Sequence, residues 1–69
     1  MPAVMNAANE VAVSEFLNLN IKFMAIPDIV GKVMRRHRNK LNPGLEDIRE
    51  ADLWARQEAG RFIRKGALN

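Results

Sequence analysis

Residues 4–18, VMNAANEVAVSEFLN, determine the fold predicted for this chain of 69 residues. Their apolar residues return at the spacing of one helix face. The main stripe is Met5, Ala8, Ala12 and Phe16, widened by Val4, Val11, Val13 and Leu17. The polar residues occupy an arc of only about 140°, because each residue turns an α-helix by about 100°. We therefore expect a central helix that its neighbours cover on most sides.

A second helix is predicted from Phe23–Ile26 to about His37 or Arg38. Its apolar residues follow the helical template closely at Ile26, Ile29, Val30, Val33 and Met34. Pro27 suits the first turn, where a missing N–H costs nothing, and Asp28 complements the helix dipole. Residues 39–44, NKLNPG, are the clearest loop in the chain.

The segment from Leu45 to about Lys65 is predicted to be helical throughout. Its buried stripe is expected to comprise Leu45, Ile48, Ala51, Ala55, Ala59 and Phe62, with Trp54 at the margin. Asp52 can cap a separate final helix, so we favour two helices with a tight junction there, and one continuous helix is the alternative. The chain is thus expected to form a single all-α domain, residues 1–69, of three to four helices.

Composition excludes several classes of protein. The chain has no cysteine and one histidine, so neither a disulfide framework nor a multi-histidine metal site is expected. No apolar run approaches the roughly 20 residues of a membrane span, and the start lacks signal-peptide features. We expect a cytoplasmic domain with no membrane partner. At 69 residues it is also too short for most cofactor-binding enzyme folds.

Positive charge is concentrated in one segment. Six of the eleven lysines and arginines lie within residues 21–40, chiefly in the run RRHRNK at 35–40. This run could contact nucleic acid phosphates, but the helix before it has an apolar face and carries no interleaved aromatic residues. We favour a solvated helix end, where cations complement the dipole. His37 is expected to be a half-buried packing residue.

Asn6, Asn9 and Glu10 form the one tight polar cluster on the first helix. They could be a docking face for another domain, or the two amides could pair with loop backbone inside this domain. One carboxylate with two amides supplies no acid/base pair or nucleophile, so we predict no catalytic residue. Glu46, Asp47, Glu50 and Asp52 are expected to be a solvated, dipole-matched helix start and not a metal site.

The stretch PAVMNAANEVAV at 2–13 closely resembles a signature of 1-deoxy-D-xylulose 5-phosphate reductoisomerases, at the start of their C-terminal helical domain. The resemblance runs to about Ala59. Its later matches are Phe16-Leu17, Ile21-Lys22-Phe23, Ile26-Pro27, Ile29-Val30, Val33, Leu45-Glu46-Asp47-Ile48, Glu50-Ala51-Asp52 and Trp54-Ala55-Arg56. Met24-Ala25 departs from the pattern by lacking the usual N-cap side chain of helix two, and Gly44 stands where a serine cap is common.

The resemblance implies a bundle of about four helices wound as a left-handed superhelix, with a structural role. It also implies a parent enzyme, a homodimer with an N-terminal NADPH-binding domain and a central catalytic domain. The parent would use NADPH and divalent Mg or Mn to make 2-C-methyl-D-erythritol 4-phosphate for isoprenoid biosynthesis. No catalytic, cofactor-binding or metal-binding residue of the family falls in this chain, so only Asn6, Asn9 and Glu10 are candidates, for interdomain docking.

Two functions therefore stay open. In the first, the chain is the non-catalytic C-terminal domain of a reductoisomerase and docks on the N-terminal and central domains. In the second, it is a free-standing helical interaction module whose basic segment binds nucleic acid. The second predicts binding to nucleic acid that weakens steeply as salt rises.

Overall fold

The computed structural model describes residues 2–39 and 47–66, most of which lie in three α-helices. Helix α1 spans Pro2–Leu17, α2 spans Ala25–Asn39 and α3 spans Ile48–Gly66. No strand occurs in this part of the chain, so the predicted all-α bundle is confirmed. None of the three helices combines the length and the apolar character that a membrane span needs. The left-handed superhelical winding stays a prediction.

The core is built around α1, which packs against both other helices, while α2 and α3 contact each other least. Its buried residues are Val4, Ala7, Ala8 and Ala12 of α1, Ile29 and Val33 of α2, and Ala51, Ala55, Ala59 and Ile63 of α3. Both α1 and α3 contribute mainly alanines. Because alanine side chains are short, the axes of these two helices can approach closely.

Helix α1 is less enclosed than its sequence predicts. Met5 and Leu17, assigned to the buried face from their spacing, are both exposed. Apolar residues occur on every face of this helix, so their periodicity alone could not identify the buried face. The structure buries the face with Ala7, Ala8 and Ala12, which suits close helix packing.

Helix α1 ends in a tight turn in which Leu19 has an unusual backbone conformation. The N–H of Leu19 donates to the carbonyl of Phe16 (3.0 Å), and the N–H of Asn20 donates to that of Glu15 (2.9 Å). Leu19 has a φ of 64°, the left-handed conformation that glycine usually supplies after a helix. A leucine there is strained, because its Cβ crowds the following carbonyl oxygen.

Helix α2 begins without an N-cap side chain, as the sequence led us to expect. Backbone bonds take over: the N–H of Ala25 donates to Lys22 (2.9 Å) and that of Ile26 donates to Phe23 (3.1 Å). Pro27 lies in the first turn, as predicted. The predicted stripe is confirmed, with Ile29 and Val33 buried and Ile26, Val30 and Met34 packed against the core.

Helix α3 is continuous, so the predicted break at Asp52 is wrong. The Asp52 carboxylate accepts hydrogen bonds from the Arg56 side chain (2.7 and 3.3 Å), four residues ahead, and does not cap the backbone. Two assignments on the α3 stripe also change. Ile48, predicted to be buried, is 69% exposed and is the first residue of the helix. Ile63, which was not part of the predicted stripe, is buried. Leu45 and the predicted loop residues 40–44 lie outside the described residues.

Helices α2 and α3 run antiparallel. The rings of His37 and Trp54 lie 5.7 Å apart at the late end of α2. Lys32, nearer the start of α2, lies 6.0 Å from the ring of Phe62 late in α3. The turn between α1 and α2 is therefore close to the C-terminal end of α3.

Candidate functional site

Asn6 and Asn9 lie on the solvent side of α1, where both side chains are exposed. In the described part of the chain neither amide makes a hydrogen bond, so the pairing with loop backbone that we weighed as an alternative is not seen there. An asparagine side chain offers two donors and an acceptor. Exposed together on one helix face, these amides can bind the backbone of another protein segment.

The same face also carries apolar side chains. At about 100° per residue, Met5, Val13 and Leu17 lie on the side of α1 that holds Asn6 and Asn9. Met5 and Leu17 are exposed, and Val13 is half-buried. We call these five residues the α1 face. Its mixture of apolar contact area and hydrogen-bonding amides is typical of protein interfaces.

Glu10 lies at the edge of the α1 face and is held within the domain. Its carboxylate accepts a hydrogen bond from Arg56 of α3 (3.1 Å), which also binds Asp52. The hydrogen bonds that Arg56 donates to Asp52 and, with a smaller effect, to Glu10 raise the pKa of its guanidinium group, so this cation stays charged. Of the three predicted docking residues, the structure therefore leaves Asn6 and Asn9 open and ties Glu10 to α3.

The basic run is partly neutralised. Arg36 forms an ion pair with Glu58 of α3 (3.2 Å), and Glu58 also accepts from Arg61 (2.8 Å). Lys32, one turn earlier, pairs with Asp28 (3.3 Å). Arg35 is exposed, whereas the side chain of Arg38 and all of Lys40 lie outside the described set. Glu58 was missed in the sequence, since only the antiparallel packing of α2 and α3 brings it beside Arg36.

His37 is half-buried at the end of α2 and packs on Trp54, as predicted for a packing residue. Its Nδ1 atom is buried and has no hydrogen-bond partner among the described residues. Within residues 2–39 and 47–66 no hydrogen bond or ion pair joins it to a carboxylate, and the chain has no cysteine. The described residues contain no group of three His, Cys, Asp or Glu placed to hold a metal ion.

Asp47 has a capping role that was not predicted. Its Oδ1 accepts a hydrogen bond from the backbone N–H of Arg49 (2.7 Å), which caps α3 one residue before Ile48. This bond, with smaller help from the Arg49 side chain, holds the pKa of Asp47 below the ordinary value of 3.8. Asp47 followed three residues later by Glu50 fits the sequence pattern of a helix start, but the helix was predicted to begin at Leu45, before this cap.

We expect Asp47→Ala to lower the stability of the chain, and Asp47→Asn to lower it less, because asparagine also caps helices well. A lowered pKa means that the contribution of Asp47 is present above pH 3.8 and is lost as pH falls through the depressed value. Urea denaturation at pH 7 and pH 3 checks this. Equal losses for D47A at both pH values would contradict it.

The comparisons with known proteins agree with the resemblance in the sequence. The family model described as the DXP reductoisomerase C-terminal domain matches residues 1–58. The chain is 56% identical over 63 residues to the 1-deoxy-D-xylulose 5-phosphate reductoisomerase of Desulforamulus reducens, covering 91% of this chain and 16% of that protein. The enzyme of the same name from Acetivibrio thermocellus is 56% identical over 64 residues, or 93% and 17%.

A third relative, from Prochlorococcus marinus and of the same name, is 53% identical over 68 residues, which is 96% of this chain and 17% of the relative. The chain therefore spans about one sixth of the length of the curated relatives that it matches. No solved structure matches it.

Proposed function

The chain belongs to the family of DXP reductoisomerase C-terminal domains, and we propose that it serves as the non-catalytic helical domain of such an enzyme. The family match over residues 1–58 is the observation that carries the proposal. The parent would be an NADPH-dependent oxidoreductase of isoprenoid biosynthesis that converts 1-deoxy-D-xylulose 5-phosphate into 2-C-methyl-D-erythritol 4-phosphate. We further place it in the cytoplasm as a homodimer.

The described residues of this chain do not fit the divalent metal of such an enzyme, since they contain no group of three His, Cys, Asp or Glu placed to hold an ion. Four of their acids already have partners: Asp47 caps α3, Asp52 and Glu10 hold Arg56, and Glu58 bridges two arginines. No glycine-rich turn for a dinucleotide precedes any of the three helices. We propose that the other domains of the parent bind NADPH and the metal, and that this chain takes no part in the chemistry.

The role we propose is mechanical. A catalytic site must be held to within fractions of an ångström by elements that do not themselves react. Asn6, Asn9 and Glu10 would anchor the bundle to the N-terminal and central domains through the α1 face. Two features support this: the amides of Asn6 and Asn9 have no partners within the described residues, and the salt bridge to Arg56 fixes Glu10 at the edge of the face.

A chimera tests the proposed function. In the Desulforamulus reducens relative, the region of 63 residues that matches is replaced by this chain, and a second protein lacks that region altogether. NADPH oxidation with 1-deoxy-D-xylulose 5-phosphate is measured for both. We expect the chimera to turn over within about tenfold of the unmodified relative, and the deletion at least about a hundredfold more slowly. A folded chimera as inactive as the deletion would contradict the proposal.

The double substitution Asn6→Ala with Asn9→Ala tests the docking residues. Neither amide has a hydrogen bond to lose within the described part of the chain, and alanine favours helix, so the isolated chain should not be destabilised. In the chimera we expect turnover to fall on the order of tenfold, since interdomain hydrogen bonds are lost. Gln57→Ala, an exposed amide on α3, is the matched control. Unchanged turnover in the double variant would contradict this assignment.

The nucleic-acid-binding module is not favoured. Arg36 and Lys32 of the basic segment are engaged by Glu58 and Asp28, which leaves fewer cations for phosphates. Titration with nucleic acid at increasing salt distinguishes the two functions, because phosphate contacts give a steep salt dependence.

A further inference from the structure

The turn after α1 gathers large apolar side chains in solvent. Leu17, Leu19, Phe23 and Met24, here called the turn patch, are all exposed, and they fall within eight consecutive residues. The ring of Phe23 is set edge-on against Phe16 at 5.6 Å, and Asn20 donates to the Glu15 carboxylate (2.6 Å). These contacts hold the turn and the ring of Phe23 in place. Clusters of this kind mark contact sites more often than single exposed residues do.

The stability of the fold does not explain why a leucine occupies position 19. Leu19 is 90% exposed, so its side chain adds almost nothing to the core. It also occupies the left-handed position at a φ of 64°, where glycine or asparagine would be less strained. Backbone strain at an exposed residue indicates that the residue has a function other than stabilising its own domain.

A groove of about 780 Å³ opens beside the turn patch, between the turn, the start of α2 and the end of α3. Ile21, Ile29, Phe62 and Ile63 line its apolar part, while Lys22, Asp28 and Lys32 stand among its lining residues. Asp28 is paired with Lys32, whereas Lys22 is exposed with no acid bonded to it in the described residues. The groove thus presents an apolar surface and a positive charge.

We propose that the turn patch and its groove dock a segment of the remaining polypeptide of the parent enzyme, one with apolar side chains and a carboxylate facing Lys22. This inference rests on the proposed function. The relatives are about six times as long as the matched region, so ample chain exists to supply the segment. The patch also continues the α1 face, because Leu17 follows Asn6 by eleven residues, about three helical turns.

Cysteine labelling in the chimera tests this inference, since the chain itself has no cysteine. Met24→Cys reports on the patch. Leu53→Cys, an exposed leucine on α3 ten residues before Ile63 and so about 15 Å away along the helix, is the control. We expect M24C to react at least about tenfold more slowly in the chimera than in the isolated chain, because docking excludes the reagent. L53C should react within about twofold in both.

Leu19→Gly supplies a second readout with opposite effects. In the isolated chain it relieves the left-handed strain, so the folding equilibrium constant should rise about threefold. In the chimera it removes an anchor, so M24C labelling should return to within about threefold of its rate in the isolated chain. An active chimera in which M24C reacts as fast as in the isolated chain, or in which L19G leaves its protection unchanged, would overturn the inference. An inactive chimera would instead contradict the proposed function on which it rests.

Discussion

Ala55→Leu is expected to leave a large fraction of the chain unfolded at 25 °C in water. Ala55 is completely buried in the alanine-rich cluster that α1 and α3 share. Three added carbon atoms at a completely buried site would force these helices apart, so we expect a loss of about 3 kcal/mol or more, at the upper end of the cost of overpacking. A core of this size rarely supplies more than about 3–5 kcal/mol, so the loss approaches the whole stability. Urea denaturation followed by circular dichroism measures it.

Gln57→Leu is the matched control for that prediction. It introduces the same side chain on the same helix, two residues away, at an exposed position. Surface substitutions of this kind usually change stability by no more than about 0.5 kcal/mol. If A55L were as stable as Q57L, the close packing of α1 on α3 would be wrong.

Glu58→Gln is expected to have the second largest effect, a loss of about 1.5–3 kcal/mol in the free energy of unfolding. The Glu58 side chain is only 14% exposed, and its carboxylate accepts from Arg61 and pairs with Arg36 across to α2. Glutamine keeps the shape but removes the negative charge. Two guanidinium groups are then left close together without an anion, where α2 and α3 otherwise make few contacts.

Asp28→Asn is the control for Glu58. Asp28 also pairs with a cation, Lys32, but both side chains are largely in solvent. Exposed pairs contribute about 0–1 kcal/mol, and salt weakens them. The chemical denaturation midpoints of E58Q and D28N should therefore differ clearly at the same pH and salt. Equal midpoints would mean that Glu58 contributes no more than an ordinary surface pair.

How far the sequence determines the structure differs between helices. In α2 the apolar residues form one narrow stripe among charges, so both the helix and its buried side were predictable. In α1 apolar residues occur on all sides of the helix. The side that is buried is the one with alanines, because short side chains let helices pack closely. Which side is buried depends on the partner helix, so the exposure of Met5 and Leu17 was not predictable from spacing.

Asp52 shows a second limit. An aspartate before an apolar residue fits an N-cap, and an aspartate four residues before an arginine fits an ion pair. Both patterns are present at Asp52, and the structure selects the ion pair with Arg56, which a third residue on α1, Glu10, also joins. Local patterns could not decide between them, because the deciding contact joins residues 46 positions apart.

The candidate docking residues were identified from the sequence because polar residues are scarce on α1. That the amides of Asn6 and Asn9 have no partner among the described residues was not predictable, since a buried partner and an open face give the same sequence pattern. The left-handed conformation of Leu19 and the ion pairs of Glu58 were not predicted. Leucine rarely adopts the left-handed conformation, so only its φ of 64° in the structure reveals it.

The mass of the native polypeptide in the source cells tests the central claim most directly. An antibody raised against this chain, with peptide mass spectrometry of the band it detects, gives that mass. If the bundle serves as one domain of a reductoisomerase, the band should be several times heavier than 7.8 kDa and should yield peptides from further domains. A single band at the mass of the chain itself would mean an independent module and would contradict the account.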